Sequence, residues 1–171
     1  MSIGTNLEIE RKYLIRYPDA TLLARQPGVE IWEIIQTYLN EGPEGQTRRL
    51  RQVVCDGKTQ YFRTFKSHVS ALASLEDEAE IPVQEYKALL WEADRSRVPV
   101  RKTRSRIPYA GHTVEVDVYP FWKDRAILEI ELASEDEAAE IPDYLEIIRD
   151  VTYDRAYKNS QLARCVPMEA I

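Results

Sequence analysis

Glu8-Ile9-Glu10-Arg11-Lys12 is the stretch on which the fold turns. Side chains at i and i+2 of an extended strand share a face. Glu8, Glu10 and Lys12 therefore stand together on one side of such a strand, and Ile9 points to the other. The same arrangement recurs along the chain. Arg49 and Arg51 form the next pair and Lys66 ends its strand; Glu78 with Glu80, Lys102 with Arg104, Glu115 with Asp117 and Glu129 with Glu131 complete the set. Leu50, Ala79, Val116 and Ile130 sit between paired charges and face away from them.

Two architectures satisfy this pattern. In one, apolar faces fill a barrel and the charges meet water. In the other the barrel is inverted: charges line a wet interior, and apolar faces pack against outer helices. Period two does not choose between them, but the signs tilt the choice. A solvated face gains from mixed signs across strands, and like charges side by side are mildly destabilising. Same-sign pairs gain when something of opposite charge lies between them. Paired carboxylates attract hard cations such as Mg²⁺ or Mn²⁺. Clustered Arg and Lys attract phosphate oxygens, for which Arg offers a planar fork. A substrate with several phosphates, bound together with metal, answers both sets.

Strand-like segments with β-branched and aromatic enrichment span about 7–16, 30–40, 47–55, 59–66, 76–81, 98–108, 112–119 and 126–133. Asp56-Gly57 predicts a tight hairpin turn, and Gly42-Pro43-Glu44-Gly45 joins another hairpin. Three helices are expected. Pro82 opens one at its first turn, running to about Asp94 with Val83, Tyr86, Leu90 and Ala93 on one face. Ser134 with Glu137 fits a capping box, and a last helix runs from about Asp154 to Arg164. The expectation is an α+β fold: a largely antiparallel sheet, closed or strongly curved, with helices outside.

The 171 residues fit a single domain spanning 1–171, and 44% hydrophobic content supplies a core. The net charge of −6 argues against a nucleic-acid polymer as partner, though a local basic cavity can still bind phosphate. Cys55 and Cys165 match no metal spacing and read as free thiols of a reducing compartment. Met1 to Leu7 shows no leader pattern, and no apolar run approaches the roughly 20 residues that span a bilayer. A cytoplasmic protein without a membrane partner is expected, either a monomer or a homodimer.

Glu8-Ile9-Glu10-Arg11-Lys12 also resembles the opening motif of the CYTH domain, the triphosphate tunnel metalloenzymes. The likeness continues at Gln36-Thr37-Tyr38-Leu39, Arg49-Leu50-Arg51, Thr64-Phe65-Lys66 and Glu78-Ala79-Glu80-Ile81-Pro82. It extends through Lys102-Thr103-Arg104, Glu115-Val116-Asp117, Glu129-Ile130-Glu131 and Val151-Thr152-Tyr153-Asp154 to Tyr157-Lys158-Asn159. The resemblance implies an eight-stranded antiparallel β-barrel, a tunnel with a charged interior and helices packed outside. It implies that Lys12, Arg49, Arg51, Lys66, Lys102 and Arg104 hold phosphates and that Glu8, Glu10, Glu129 and Glu131 hold Mg²⁺ or Mn²⁺. Glu78, Glu80, Glu115 and Asp117 would support the cations, place water or serve a second metal. Lys12, Tyr38 and Lys102 are the catalytic candidates, and the Lys12–Tyr38 pairing is one associated with triphosphatases. Two departures stand out: Glu76 lies where an Arg is frequent, in a stretch from Lys66 to Glu78 that is slightly long, and Ala156 replaces a frequent basic residue.

The expected activity is metal-dependent hydrolysis of a triphosphate, inorganic tripolyphosphate first. A nucleoside or thiamine triphosphate, cyclisation of ATP in the same tunnel, and non-catalytic binding of polyphosphate or nucleotide are the alternatives. A barrel for an apolar ligand is the remotest. His68 and His112 read as surface residues in loops or turns; Trp32, Trp91 and Trp122 read as core or rim packing. Tyr157 and Asn159 either anchor the last helix to the tunnel's end or simply pack.

Overall fold

The computed structural model describes residues 4–171; residues 1–3, part of the Met1–Leu7 stretch read for a leader, lie outside the described residues. Eight strands make the barrel: β1 (Gly4–Arg16), β2 (Glu30–Tyr38), β3 (Thr47–Cys55), β4 (Lys58–His68), β5 (Ala73–Glu80), β6 (Val100–Tyr109), β7 (His112–Val118) and β8 (Arg125–Leu132). All pairings are antiparallel in the order β5-β4-β3-β2-β6-β7-β8-β1, and β1 returns to pair with β5, which closes the sheet. Asp56-Gly57 turns the β3–β4 hairpin with both residues at positive φ, as a tight turn with right-handed strand twist requires. Ala110-Gly111 does the same between β6 and β7.

The inverted arrangement is the one found. Ile9, Val116 and Ile130 are buried outside the barrel wall in a cluster with Leu23, Leu128 and Leu145. Leu50 joins Leu39, Ile81 and Tyr86 in another. Each fully buried aliphatic side chain contributes about 1.5–3 kcal/mol relative to exposure. The charged members of the same strands are left on the inner face.

The helices differ from expectation in four places, the last of them at the C-terminus. First, a short α1 (Ala20–Ala24), capped by the Asp19 carboxylate accepting from Thr21 and Leu22 N–H, seats Leu23 on the wall; it was not expected. Second, α2 (Val83–Leu89) has Pro82 as its cap rather than within its first turn. It gives way to a 3-10 turn, Leu90–Glu92, because Ala93 becomes extended to pair with Leu39. Third, no helix forms at Ser134. Glu137 there accepts from the Ala133 N–H and contacts His112, so its carboxylate caps a turn instead of a helix. The irregular segment that follows packs Ala139, Ile141, Tyr144 and Leu145 on the wall, a spacing no single helix face provides.

The C-terminal region is also broken where one helix was expected. Asp154 caps a 3-10 turn, Arg155–Tyr157; Lys158 is extended; α3 covers only Asn159–Leu162. A ninth strand, β9 (Ile147–Asp150), pairs with β1 at Tyr13–Ile15, beyond the part of β1 that β5 uses. Together these pieces cap one end of the barrel rather than its side. Leu14, Tyr38, Tyr119, Trp122 and Ile127 pack there against Val151, Tyr157, Leu162 and Ala163. No described helix is long and apolar enough to cross a membrane.

Candidate active site

The closed sheet surrounds a cavity of about 310 Å³. Of the residues expected at the site, Glu8, Glu10, Lys12, Tyr38, Arg49, Arg51, Lys66, Glu78, Arg104, Glu115, Glu129 and Glu131 line it. Lys102 and Asp117 do not; they lie sealed beneath it, with side chains at zero exposure. Glu80 is exposed beyond the cavity, where its carboxylate accepts from Gln60.

The strand register decides which charges meet. Arg104 stands opposite Asp117, Glu115 opposite Glu129, and Glu129 opposite Lys12. Arg104 gathers three carboxylates. It donates twice to Asp117, at 2.7 and 2.8 Å, to Glu115 at 3.0 Å and to Glu129 at 3.3 Å. That guanidinium relieves the direct opposition of Glu115 and Glu129, which alone would repel. Lys102 adds a 2.9 Å contact to Asp117. Burial, and next the neighbouring Arg104 charge, pull the Lys102 ammonium down to about 7.

Lys12 sits 3.2 Å from Glu129 and donates to the Tyr157 carbonyl at 3.4 Å. Its backbone is held by the C-terminal segment. The Lys12 N–H donates to Thr152 Oγ1, and the Lys12 carbonyl accepts from the Val151 N–H. Burial pushes the Glu129 carboxyl up, but Lys12 and then Arg104 outweigh it and hold Glu129 well below the usual carboxylate range. On the opposite arc, Lys66 bridges Glu8 at 2.8 Å and Glu76 at 3.5 Å, and Thr64 donates to Glu78 at 2.9 Å.

Two arginines differ from the other expected cations. Among the described residues no carboxylate lies within ion-pair distance of Arg49 or Arg51. Buried Nε of Arg49 has no hydrogen-bond partner, and Arg51 Nε donates only to the neutral Gln36 at 2.9 Å. Gln36 in turn donates to the Tyr38 hydroxyl at 2.5 Å, leaving the Tyr38 proton free for another acceptor. Burial, and then the neighbouring Arg49 and Arg104 charges, lower the Arg51 pKa, so an incoming anion would relieve that repulsion.

On the acidic side, Glu10 is the corresponding group. It has no cationic partner within ion-pair distance among the described residues and stands directly opposite Glu131. Burial first, and then the charges of Glu129 and Glu8, push its carboxyl up to about 7. A divalent cation would remove that penalty. Oxygen-only donors suit Mg²⁺ or Mn²⁺. Among the described residues, though, no three carboxylates, histidines or cysteines are close enough to enclose one. Glu8 and Glu129 are engaged by Lys66 and Lys12, so phosphate oxygens would have to share in the coordination. With that division, the residues present fit the ion.

Three charged lining residues carry no site role in the sequence reading. Lys158 reaches the cavity because the chain is extended there, and burial, Lys12 and Lys66 lower its pKa. Glu76 and Arg106 also line it, and each continues a charged alternation, two residues before Glu78 and two after Arg104. That spacing was the available signal. His68, read as a surface residue, is exposed but stands at the cavity rim, and His112 pairs with Glu137 at 2.6 Å. Trp122 is core and Trp32 rim, whereas Trp91 is 89% exposed and packs in neither.

The chain is 34% identical to the inorganic triphosphatase of Nitrosomonas europaea over 164 residues, which is 94% of this chain and 99% of that protein. It belongs to the CYTH family of triphosphate tunnel enzymes. The crystal structure of an inorganic triphosphatase matches with a TM-score of 0.56 at 32% identity, over 94% of this chain and 96% of that one. A putative adenylate cyclase from Bacillus halodurans shares the CYTH fold, with a TM-score of 0.52 at 18% identity over 77% of this chain and 83% of that one. No protein-family model matches the chain.

Proposed function

We propose that this CYTH protein is a divalent-metal-dependent triphosphatase of the cytoplasm whose main substrate is inorganic tripolyphosphate. The observation that carries the reading is the pair of arginines, Arg49 and Arg51, held in a closed charged tunnel with no carboxylate within ion-pair distance among the described residues. Buried cations left in this state favour an anion of high charge density. The kinship with an inorganic triphosphatase supplies the reaction class.

Phosphoryl transfer asks a protein mainly for positioning and charge stabilisation. Arg49 and Arg51 grip the phosphate chain by bidentate contacts. Lys12, Lys66 and Lys158 surround it with ammonium charge at the end nearest the C-terminal segment, and offset the charge that develops as the phosphoanhydride bond breaks. Tyr38, fixed by Gln36, is placed to donate its hydroxyl hydrogen bond to a phosphate oxygen. Glu8, Glu10, Glu129 and Glu131 would hold Mg²⁺ or Mn²⁺. Such an ion neutralises phosphate charge and makes water a better nucleophile. Glu78 and Glu115 support the cations around them. Lys102 and Asp117 act from below by fixing Arg104, a positioning role in place of direct phosphate contact.

The deciding experiment is phosphate release from tripolyphosphate, ATP and thiamine triphosphate, with Mg²⁺, with Mn²⁺ and with chelator, while cyclic AMP is monitored. Metal-dependent release, fastest from tripolyphosphate, is the expected result. Cyclic AMP as the main product would replace the reading with cyclisation. Tight binding without any product would make the protein a polyphosphate or nucleotide binder.

A further inference from the structure

One aromatic group in the tunnel wall has no part in holding phosphate. Trp32 on β2 is the direct cross-strand neighbour of Arg104 and lines the same cavity. Its indole N–H donates to Glu30 at 3.0 Å, which fixes the ring plane. Arg106 lies over one ring face, 4.4 Å from the centroid. Arg106 is itself held by Glu115 at 3.1 Å and Glu30 at 3.5 Å. A tryptophan clamped by a carboxylate and stacked with a guanidinium presents a rigid flat surface at little entropic cost.

Its position gives that surface a use. Arg104 and Arg106 are two residues apart on one face of β6, so their side chains are about 6–7 Å apart along the strand. Going from Arg104 to Arg106 leads outward from the tunnel's buried charge network to a rim where Glu30 and Glu115 pair with Arg106. With Glu30 and Glu115 already paired with Arg106, that rim offers a phosphate no unpaired cation and gives it no reason to settle. A planar, uncharged group attached to a triphosphate needs no cation, and the second oxygen of each carboxylate can accept from an exocyclic amine.

We propose that Trp32, with Arg106 and Glu30, forms a stacking seat for the aromatic headgroup of a nucleoside triphosphate whose phosphates occupy the arginine-lined interior. The seat admits organic triphosphates beside tripolyphosphate, and it rests on the triphosphatase reading above. Base–aromatic stacking carries enough free energy for a selective effect of about tenfold on one aromatic deletion.

The test is calorimetric titration of the wild type, Trp32→Ala and Trp32→Phe with a non-hydrolysable ATP analogue and with an imido-bridged, non-hydrolysable form of tripolyphosphate, in the same Mg²⁺ buffer. Trp32→Ala is expected to lower the ratio of analogue affinity to tripolyphosphate affinity about tenfold, and Trp32→Phe to recover most of it. A ratio that stays within about twofold in Trp32→Ala overturns the proposal, as does an analogue that fails to bind the wild type. Because neither probe can be hydrolysed, binding alone is read here, and the triphosphatase reading falls separately if tripolyphosphate, ATP and thiamine triphosphate all release no phosphate. The Trp32 ratio would still decide the seat.

Discussion

The basic pair on β3 and the basic pair on β6 have one spelling, Arg49-Leu50-Arg51 and Lys102-Thr103-Arg104, and opposite circumstances. On β6 both cations are spent on carboxylates: Lys102 and Arg104 share Asp117, and Arg104 also binds Glu115 and Glu129. On β3, among the described residues, no carboxylate lies within ion-pair distance of either arginine. The difference lies in the partner strands. β6 is flanked by β7, which presents Glu115 and Asp117, whereas β3 pairs with β2 and β4, which place Tyr38, Gln36, Thr64 and Phe62 opposite the arginines. On the proposed reading, one pair is the internal framework of the tunnel and the other its anion-binding surface.

The comparison can be broken at its strongest point by Asp117→Ala. Removing that carboxylate leaves two buried cations without their shared partner, and folding stability should fall by about 3–5 kcal/mol. Urea denaturation measures this, and a loss below about 1 kcal/mol would show that the β6 network is not a framework. The complementary change, Arg51→Ala or Arg49→Ala, should lower kcat/KM for tripolyphosphate by about 10²–10³-fold, the scale on which a lost charge-stabilising donor acts. The urea midpoint should stay near that of the wild type. A rate loss accompanied by an equal loss of stability would erase the distinction between the pairs.

Smaller changes sharpen the acidic side. Glu10→Gln keeps the shape but removes a cavity carboxylate that has no cation within ion-pair distance among the described residues, and the Mg²⁺ concentration for half-maximal rate should rise by about tenfold or more. An unchanged metal requirement would remove Glu10 from the ligand set. Glu80→Gln, exposed beyond the cavity, should leave both kcat/KM and stability within about twofold and 0.5 kcal/mol of the wild type. A large effect there would mean that the rim reaches further than the cavity does.

Much of this was legible before any fold. Alternation placed Ile9, Leu50, Val116 and Ile130 on one face, and every one of them is buried outside the barrel. The run of same-sign pairs pointed to a charged interior. The coverings were less legible. The segment after Ser134 has a capping-box spelling but packs on the wall in irregular form, and β9 is too short to carry a pattern of its own. Lys158 was read as part of a motif without a role, because only the break between the 3-10 turn and α3 aims it inward. Trp32 illustrates the same limit, since its partners Glu30, Arg106 and Arg104 come from two strands far apart in the chain.

By itself, then, the sequence determined which residues share a strand face, because that follows from a local period of two that every extended backbone obeys. Which charges cancel was decided only by tertiary structure. Neutralisation depends on cross-strand register and on the order of strands around the barrel, and neither is encoded in the spacing of any one strand. Arg51 and Arg104 are alike in sequence. They differ because β7 lies beside one and not the other.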